Sequence, residues 1–185
     1  EALERFMQEA GTMNQKNYPV HIKLDTGMHR LGAEEDDIRS IVAKLGTTGT
    51  VRIASVFSHF VASGDEKNDD FTREQIARFE TLSNLLTKQL DYKIMRHLLN
   101  SPGIERFASE AQYDMVRLGI GLYGMSYVDK SRLKPTAFLR TPALQVKTVQ
   151  PGETVGYSRA GKVTKPNTRI ATLAIGYADG VNRHL

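Results

Sequence analysis

Apolar residues recur along this chain at two spacings, helical and alternating, and the two take turns. Residues 1 to about 13 put Leu3, Phe6, Met7 and Ala10 on one face of a helix, which Gly11 and Asn14 weaken near its end. Pro19 to Leu24 alternates, with Val20, Ile22 and Leu24 on one side, and predicts a buried strand. Asp25, Thr26 and Gly27 break it. The acidic run Glu34-Glu35-Asp36-Asp37 suits the positive end of a helix dipole. Ile38, Ile41, Val42 and Leu45 give that helix a buried face, and Gly46 is its expected end. Val51 to Phe57 reads as a second strand, followed by a polar loop from Ser58 to about Asp70. Ile76, Phe79, Leu82, Leu85 and Leu86 then mark a long helix. Ile94 to Leu99 is a third strand, leading into the loop Asn100-Ser101-Pro102-Gly103. Ile104 to Glu110 is a short helix, and Met115 to Gly121 a fourth strand region.

Strands alternating with helices mean a parallel sheet with crossover helices. After about Tyr127 the pattern changes. Thr136 to Val149, Gly152 to Val163 and Arg169 to Ile175 read as strands, punctuated by Pro151-Gly152 and Lys165-Pro166-Asn167. No amphipathic helix pattern intervenes. The expected fold class is therefore α/β. Residues 1–127 would be the C-terminal half of a (β/α)8 TIM barrel, and residues 128–185 the start of an all-β domain. A complete barrel takes about 250 residues, and four βα units here suggest a slice of a larger enzyme.

Composition narrows the classes. The chain has 185 residues, 40% hydrophobic and 25% charged, ordinary for a water-facing globular protein. No run approaches the roughly 20 apolar residues that cross a bilayer, and no signal peptide pattern opens the chain. There is no cysteine, which removes disulfides, thiolate catalysis and zinc–cysteine sites and fits the cytoplasm. The net charge of +4 is spread among acids, with no basic tract, which argues against nucleic acid as a partner. No metal site is expected.

The most informative stretch is His21-Ile22-Lys23-Leu24-Asp25-Thr26-Gly27-Met28-His29-Arg30-Leu31-Gly32. A strand end feeding a Gly-containing loop is where an α/β barrel keeps its chemistry. This dodecamer resembles a signature of the pyridoxal-phosphate-dependent alanine racemases. Further stretches carry the same resemblance in order: SHF at 58–60, HLLNSPG at 97–103, MVRLGIGLYG at 115–124, VGYS at 155–158 and AIGYADG at 174–180. It implies a homodimer of a barrel and a β domain, with pyridoxal 5'-phosphate as cofactor.

By resemblance, Arg117 faces the pyridine nitrogen of the cofactor. An arginine is effectively always protonated, so it would keep that nitrogen unprotonated. The weaker electron sink that results suits racemisation over transamination. Read alone, a strand arginine is a surface salt-bridge partner. The resemblance assigns Ser101, Gly119 and Ile120, with Asn100 beside them, to the cofactor phosphate; alone, Asn-Ser-Pro-Gly is ordinary turn chemistry. Tyr157 matches one of two catalytic bases and would act in the partner subunit's site. A free tyrosine has a pKa of about 10, so it needs a positive charge or relay nearby. The family's Tyr–His–Arg chain implies His59 and Arg117 for this. Alone, His59 is more often structural, and Tyr157 a packed strand aromatic. Arg30 matches an arginine contacting the cofactor's phenolic oxygen and the substrate carboxylate. Lys23 matches a lysine carbamylated in several members, which holds that arginine; a lysine paired with a carboxylate is the plain alternative. Tyr177 resembles an entry-channel residue.

Two departures stand out. Nothing matches the family's Schiff-base lysine, which is also the second base, so the 185-residue chain alone is expected to be inactive. Ser158 stands where a glycine commonly follows the catalytic tyrosine. The implied function is racemisation of L-alanine to D-alanine by two bases, feeding peptidoglycan. A racemase for serine or another amino acid, and a non-enzymatic pyridoxal-phosphate-binding barrel protein, stay open. Amino-acid decarboxylases share the architecture but lack this use of arginine. Fusion to another cell-wall enzyme is also open.

Overall fold

The computed structural model describes residues 2–182, apart from the side chains of 46–48. It divides into two compact units, Glu1–Ala137 and Phe138–Leu185. In the first, helix α1 (Ala2–Thr12) precedes strand β1 (Tyr18–Lys23), helix α2 (Glu35–Thr48), strand β2 (Val51–Phe57), helix α3 (Asp69–Thr87), strand β3 (Met95–His97) and helix α4 (Ser101–Ala111). The strands form one parallel sheet in chain order, β1-β2-β3. Parallel neighbours need crossovers, and α2 and α3 provide them. Ile22, Leu24, Ile53, Val56, Phe79, Leu86, Leu98 and Phe107 form the main core.

A register shift between Val20 and His21 sets which side chains reach which face. Val20 pairs with Ile53, but His21 pairs with Ser55, so β2 carries one extra residue there. Downstream of it, Ile22 and Val56 share one face, while His21 and Ser55, then Lys23 and Phe57, share the other. The bulge therefore turns a row of polar side chains away from the aliphatic core.

Several expected boundaries move. Helix α2 runs past Gly46 to Thr48 and ends at Gly49, whose φ of 60° is left-handed. Its start matches: Asp37 Oδ2 accepts from Glu34 N at 3.0 Å, closing a capping box. Asn100 to Gly103 is a helix start, not a loop. Asn100 is the N-cap, and its Oδ1 accepts from Gly103 N at 3.0 Å. Pro102 fits the first turn, where no N–H is needed. The fourth strand region does not form. Residues 115–119 make a single bridge, His97 to Met115, and a bond from Arg117 N to Leu99 O at 3.0 Å. A 3-10 turn, Ile120–Tyr123, follows. Residues 128–137 pack with this first unit, where Thr136 Oγ1 donates to Leu122 O at 3.2 Å.

The second unit contains four strands among its described residues, β4 (Ala143–Val149), β5 (Thr154–Val155), β6 (Gly161–Lys162) and β7 (Thr168–Leu173). β4 pairs antiparallel with β7, and β5 with β6. The strand expected across 152–163 is two short strands separated by a 3-10 turn, Tyr157–Arg159.

Candidate active site

In a parallel sheet all strands end at one edge, and ligands bind there. Lys23 ends β1, Ser58 and His59 follow β2, and His97 ends β3. The segment carrying Arg117 returns to this edge, and its guanidinium is held there by the strand ends. Nη2 donates to Ser58 O at 2.5 Å and Leu98 O at 3.3 Å; Nη1 donates to His97 O at 3.2 Å. The same group reaches two imidazoles, His97 Nδ1 at 2.8 Å from Nη1 and His59 Nδ1 at 3.3 Å from Nη2. Phe57 lies under it, 5.2 Å from ring centroid to Cζ.

A guanidinium only donates, so both facing ring nitrogens accept and both histidines are neutral with the proton on Nε2. Burial and the Arg117 charge push His97 down to about 4, with His21 adding to it. His59 is lowered in the same way, by burial first and then by Arg117, Arg30 and Lys23. His97 Nε2 lies 2.9 Å from Ser55 Oγ, which lies 2.5 Å from His21 Nδ1. This polar row, on the face the bulge reversed, has no periodic signature. His97 and Ser55 were missed by sequence reading for that reason, although the HLLNSPG stretch begins on His97.

Lys23 is half-buried beside this cluster. Its pKa is lowered by burial first and then by Arg30 and Arg117, while Asp25 opposes. Asp25 is turned to the loop: its Oδ1 accepts from Gly27 N at 2.9 Å and from Met28 N and His29 N at 3.1 Å each. Burial raises the Asp25 carboxyl, but these donors outweigh it and leave the pKa lowered. Arg30 is exposed on the loop, which closes where Ala33 N donates to Lys23 O at 2.8 Å. Gly32, with φ of 143°, makes that return; a Cβ there would overlap the backbone of Leu24 and Asp25.

Ser101 opens α4, and its Oγ accepts from Gly119 N at 2.9 Å and Gly121 N at 3.1 Å. A Cβ on Gly121 would lie 3.2 Å from that oxygen. Two backbone N–H groups therefore converge on the Ser101 hydroxyl at a helix N-terminus, and they become donors to a ligand only if that hydroxyl turns away from them. That donor set fits a phosphate. Ile120 starts the turn beside it, and Asn100 caps the helix rather than pointing an amide outward.

The first unit thus brings together Lys23, His59, Arg117, Ser101, Gly119 and Ile120, with Arg30 on the adjoining loop. Tyr157 and Tyr177 belong to the second unit. Tyr157 begins its 3-10 turn and is 93% exposed; Tyr177 begins another and is also exposed. Neither is a packed strand aromatic.

A fixed cation thus lies at the carboxyl edge of a parallel sheet, two residues before a glycine-rich turn at a helix N-terminus, in an α/β unit. The family models for the alanine racemase N-terminal domain and C-terminal domain match residues 1–127 and 136–185. The chain belongs to the alanine racemase family. It is 36% identical over 183 residues to alanine racemase 2 of Caldanaerobacter subterraneus subsp. tengcongensis, covering 96% of this chain and 46% of that one. The alanine racemase of Streptomyces coelicolor A3(2) superposes with a TM-score of 0.84 at 26% identity, over 99% of this chain and 49% of that one. That of Bartonella henselae, with covalently bound pyridoxal phosphate, gives 0.72 at 26% identity, over 98% and 49%. The chain spans about half the length of the curated relatives it matches. Among the described residues no helix is long and apolar enough to cross a membrane.

Proposed function

We propose that the full-length protein interconverts L- and D-alanine with pyridoxal 5'-phosphate, and that residues 1–127 are the C-terminal half of a (β/α)8 barrel. Parallel strands in chain order with helical crossovers support the barrel reading. The observation that carries the function is the Arg117 guanidinium, held by three carbonyls and two neutral imidazoles. Burial lowers the Arg117 pKa from its very high ordinary value, and a guanidinium that still keeps its proton would hold a pyridine nitrogen placed opposite it unprotonated. Ser101 and the amides of Gly119 and Ile120 would take the phosphate, with the Gly119 amide exchanging its bond to the Ser101 hydroxyl for one to the phosphate; Arg30 would take the phenolic oxygen and the substrate carboxylate. When bound, the cofactor supplies the electron sink that acidifies the substrate Cα–H.

Tyr157 would move the Cα proton on the L face, from the partner subunit of a homodimer. A lysine outside the motifs of this chain would serve the D face. Of the family's Tyr–His–Arg chain, His59 and Arg117 are in contact at 3.3 Å. Carbamylated Lys23, a group favoured by a depressed amine pKa, would hold Arg30; Tyr177 would line the entry. D-alanine for peptidoglycan, made in the cytoplasm, is the corresponding role.

The test is D-alanine formation by the full-length protein with pyridoxal phosphate, with L-alanine and L-serine offered in parallel. D-alanine is expected, and Tyr157→Phe should lower turnover of L-alanine by about 10²-fold or more while cofactor still binds. Cofactor uptake with no D-alanine, or full activity in Tyr157→Phe, overturns the reading.

A further inference from the structure

Gln75 is fully buried in the middle of α3, where the helical pattern asks for an apolar side chain. An uncharged amide there must find partners for two N–H donors and a carbonyl. It finds all of them on the two loops that follow β1 and β2. Nε2 donates to Thr26 Oγ1 at 3.2 Å and to His59 O at 3.1 Å, and Oε1 accepts from Val61 N at 3.0 Å. Thr26 and Ser58 are buried as well, 1% and 2% exposed, and their hydroxyl oxygens are 2.8 Å apart.

The directions of these bonds close without remainder. Ser58 has one hydroxyl proton and gives it to Leu24 O at 2.8 Å. Thr26 must therefore donate to Ser58, and one of its lone pairs accepts from Gln75. Gln75 spends its second proton on His59 O. A flipped amide would set its oxygen against the carbonyl of His59 and its nitrogen against the N–H of Val61, so one orientation alone is satisfied. Fully satisfied buried networks rigidify what they join. What this one joins is the backbone on both sides of His59, together with Ser58, whose carbonyl is the shortest acceptor of Arg117.

We propose that Gln75, Thr26 and the Ser58 hydroxyl form a clamp that positions His59 and the Ser58 carbonyl against Arg117. Gln75 and Thr26 are positioning residues: they reach the site only through other groups. The meaning of the clamp for catalysis rests on the reading of His59 and Arg117 given above, but its existence is tested without any activity.

The charged groups facing His59 are Arg117 from the segment after α4, Arg30 from the 25–32 loop and Lys23 from β1. Burial holds the imidazole below its ordinary value and these three cations lower it further, so its titration reports how closely it is held in this place. The experiment is a histidine-selective ¹⁵N NMR pH titration of the full-length protein without cofactor, with His59 assigned by its loss in His59→Gln. Wild type and the conservative Thr26→Ser should both titrate below about 6.5. Thr26→Val, which removes the hydroxyl, and Gln75→Met, which removes the amide, should move the His59 midpoint up toward that value. A merely structural role would lower the melting temperature and leave the midpoint in place, and that result overturns the proposal. If Gln75→Met does not fold, Thr26→Val against wild type decides, because the two differ only by a buried hydroxyl exchanged for a methyl, while Thr26→Ser keeps the hydroxyl and controls for loss of the methyl. A shifted midpoint in a protein that makes no D-alanine would leave the clamp standing and remove the racemase reading alone.

Discussion

A neutral histidine pressed against a guanidinium sets a pH dependence whose sign follows from its depressed pKa. His97 sits at about 4 in the folded chain, against about 6.5 when unfolded. Between those values the unfolded chain binds the proton that the folded chain refuses. Stability tied to His97 is therefore fully present above about 6.5 and is lost as pH falls toward about 4. His97→Asn keeps an acceptor near the Nδ1 position but has no proton to gain. Urea unfolding of wild type and His97→Asn at pH 7 and pH 4.5 checks this: the stability difference between them should shrink at the lower pH. A constant difference would mean that burial and Arg117 together do not hold His97 neutral in the folded chain. The sequence marks His59 by its motif, but His97 meets Arg117 side chain to side chain and Gln75 acts through Thr26 and main-chain atoms, contacts that no spacing pattern records.

At the level of elements, the helices and the first two strands are legible because each presents one apolar face at one period. The misread ones lack such a face. Asn100-Ser101-Pro102-Gly103 carries turn residues, and those same residues make a capped helix start once Asn100 is extended. Met115 to Gly121 has strand-like residues but stays irregular, with Arg117 bonded to carbonyls just after β2 and at the end of β3. In the second unit, Gly156 and Ser158 have φ of 82° and 57°, which turns the chain at Tyr157 where alternation predicts a continuous strand. A left-handed serine costs about 1–2 kcal/mol, and a glycine returns about 0.5–1 of that through the entropy of its unfolded state. Ser158→Gly should therefore stabilise the protein by up to about 1 kcal/mol, read by denaturant unfolding. Destabilisation would mean that the serine hydroxyl supports the turn.

For the whole molecule, the decisive prediction concerns two copies. If Tyr157 serves the site of a partner subunit, Arg117→Ala and Tyr157→Phe damage different chains of each site. In mixed dimers one of the two sites would then carry both intact residues. Random mixing of the two inactive full-length variants should restore about a quarter of the wild-type sites. No recovery after verified subunit exchange would put Tyr157 and Arg117 in the same chain's site. The change of period near Tyr127 is readable in the sequence because it is a property of long stretches; a contact such as Thr136 to Leu122 is not, because it depends on a single bond between distant residues. The seat of Arg117 has one more consequence. Three of its acceptors are main-chain oxygens, at Ser58, His97 and Leu98. Every amino acid carries such an oxygen, so the geometry that aims the cation can survive wide drift in the side chains around it. A lineage can retune the histidines, and with them the proton chemistry, without having to rediscover where the arginine sits.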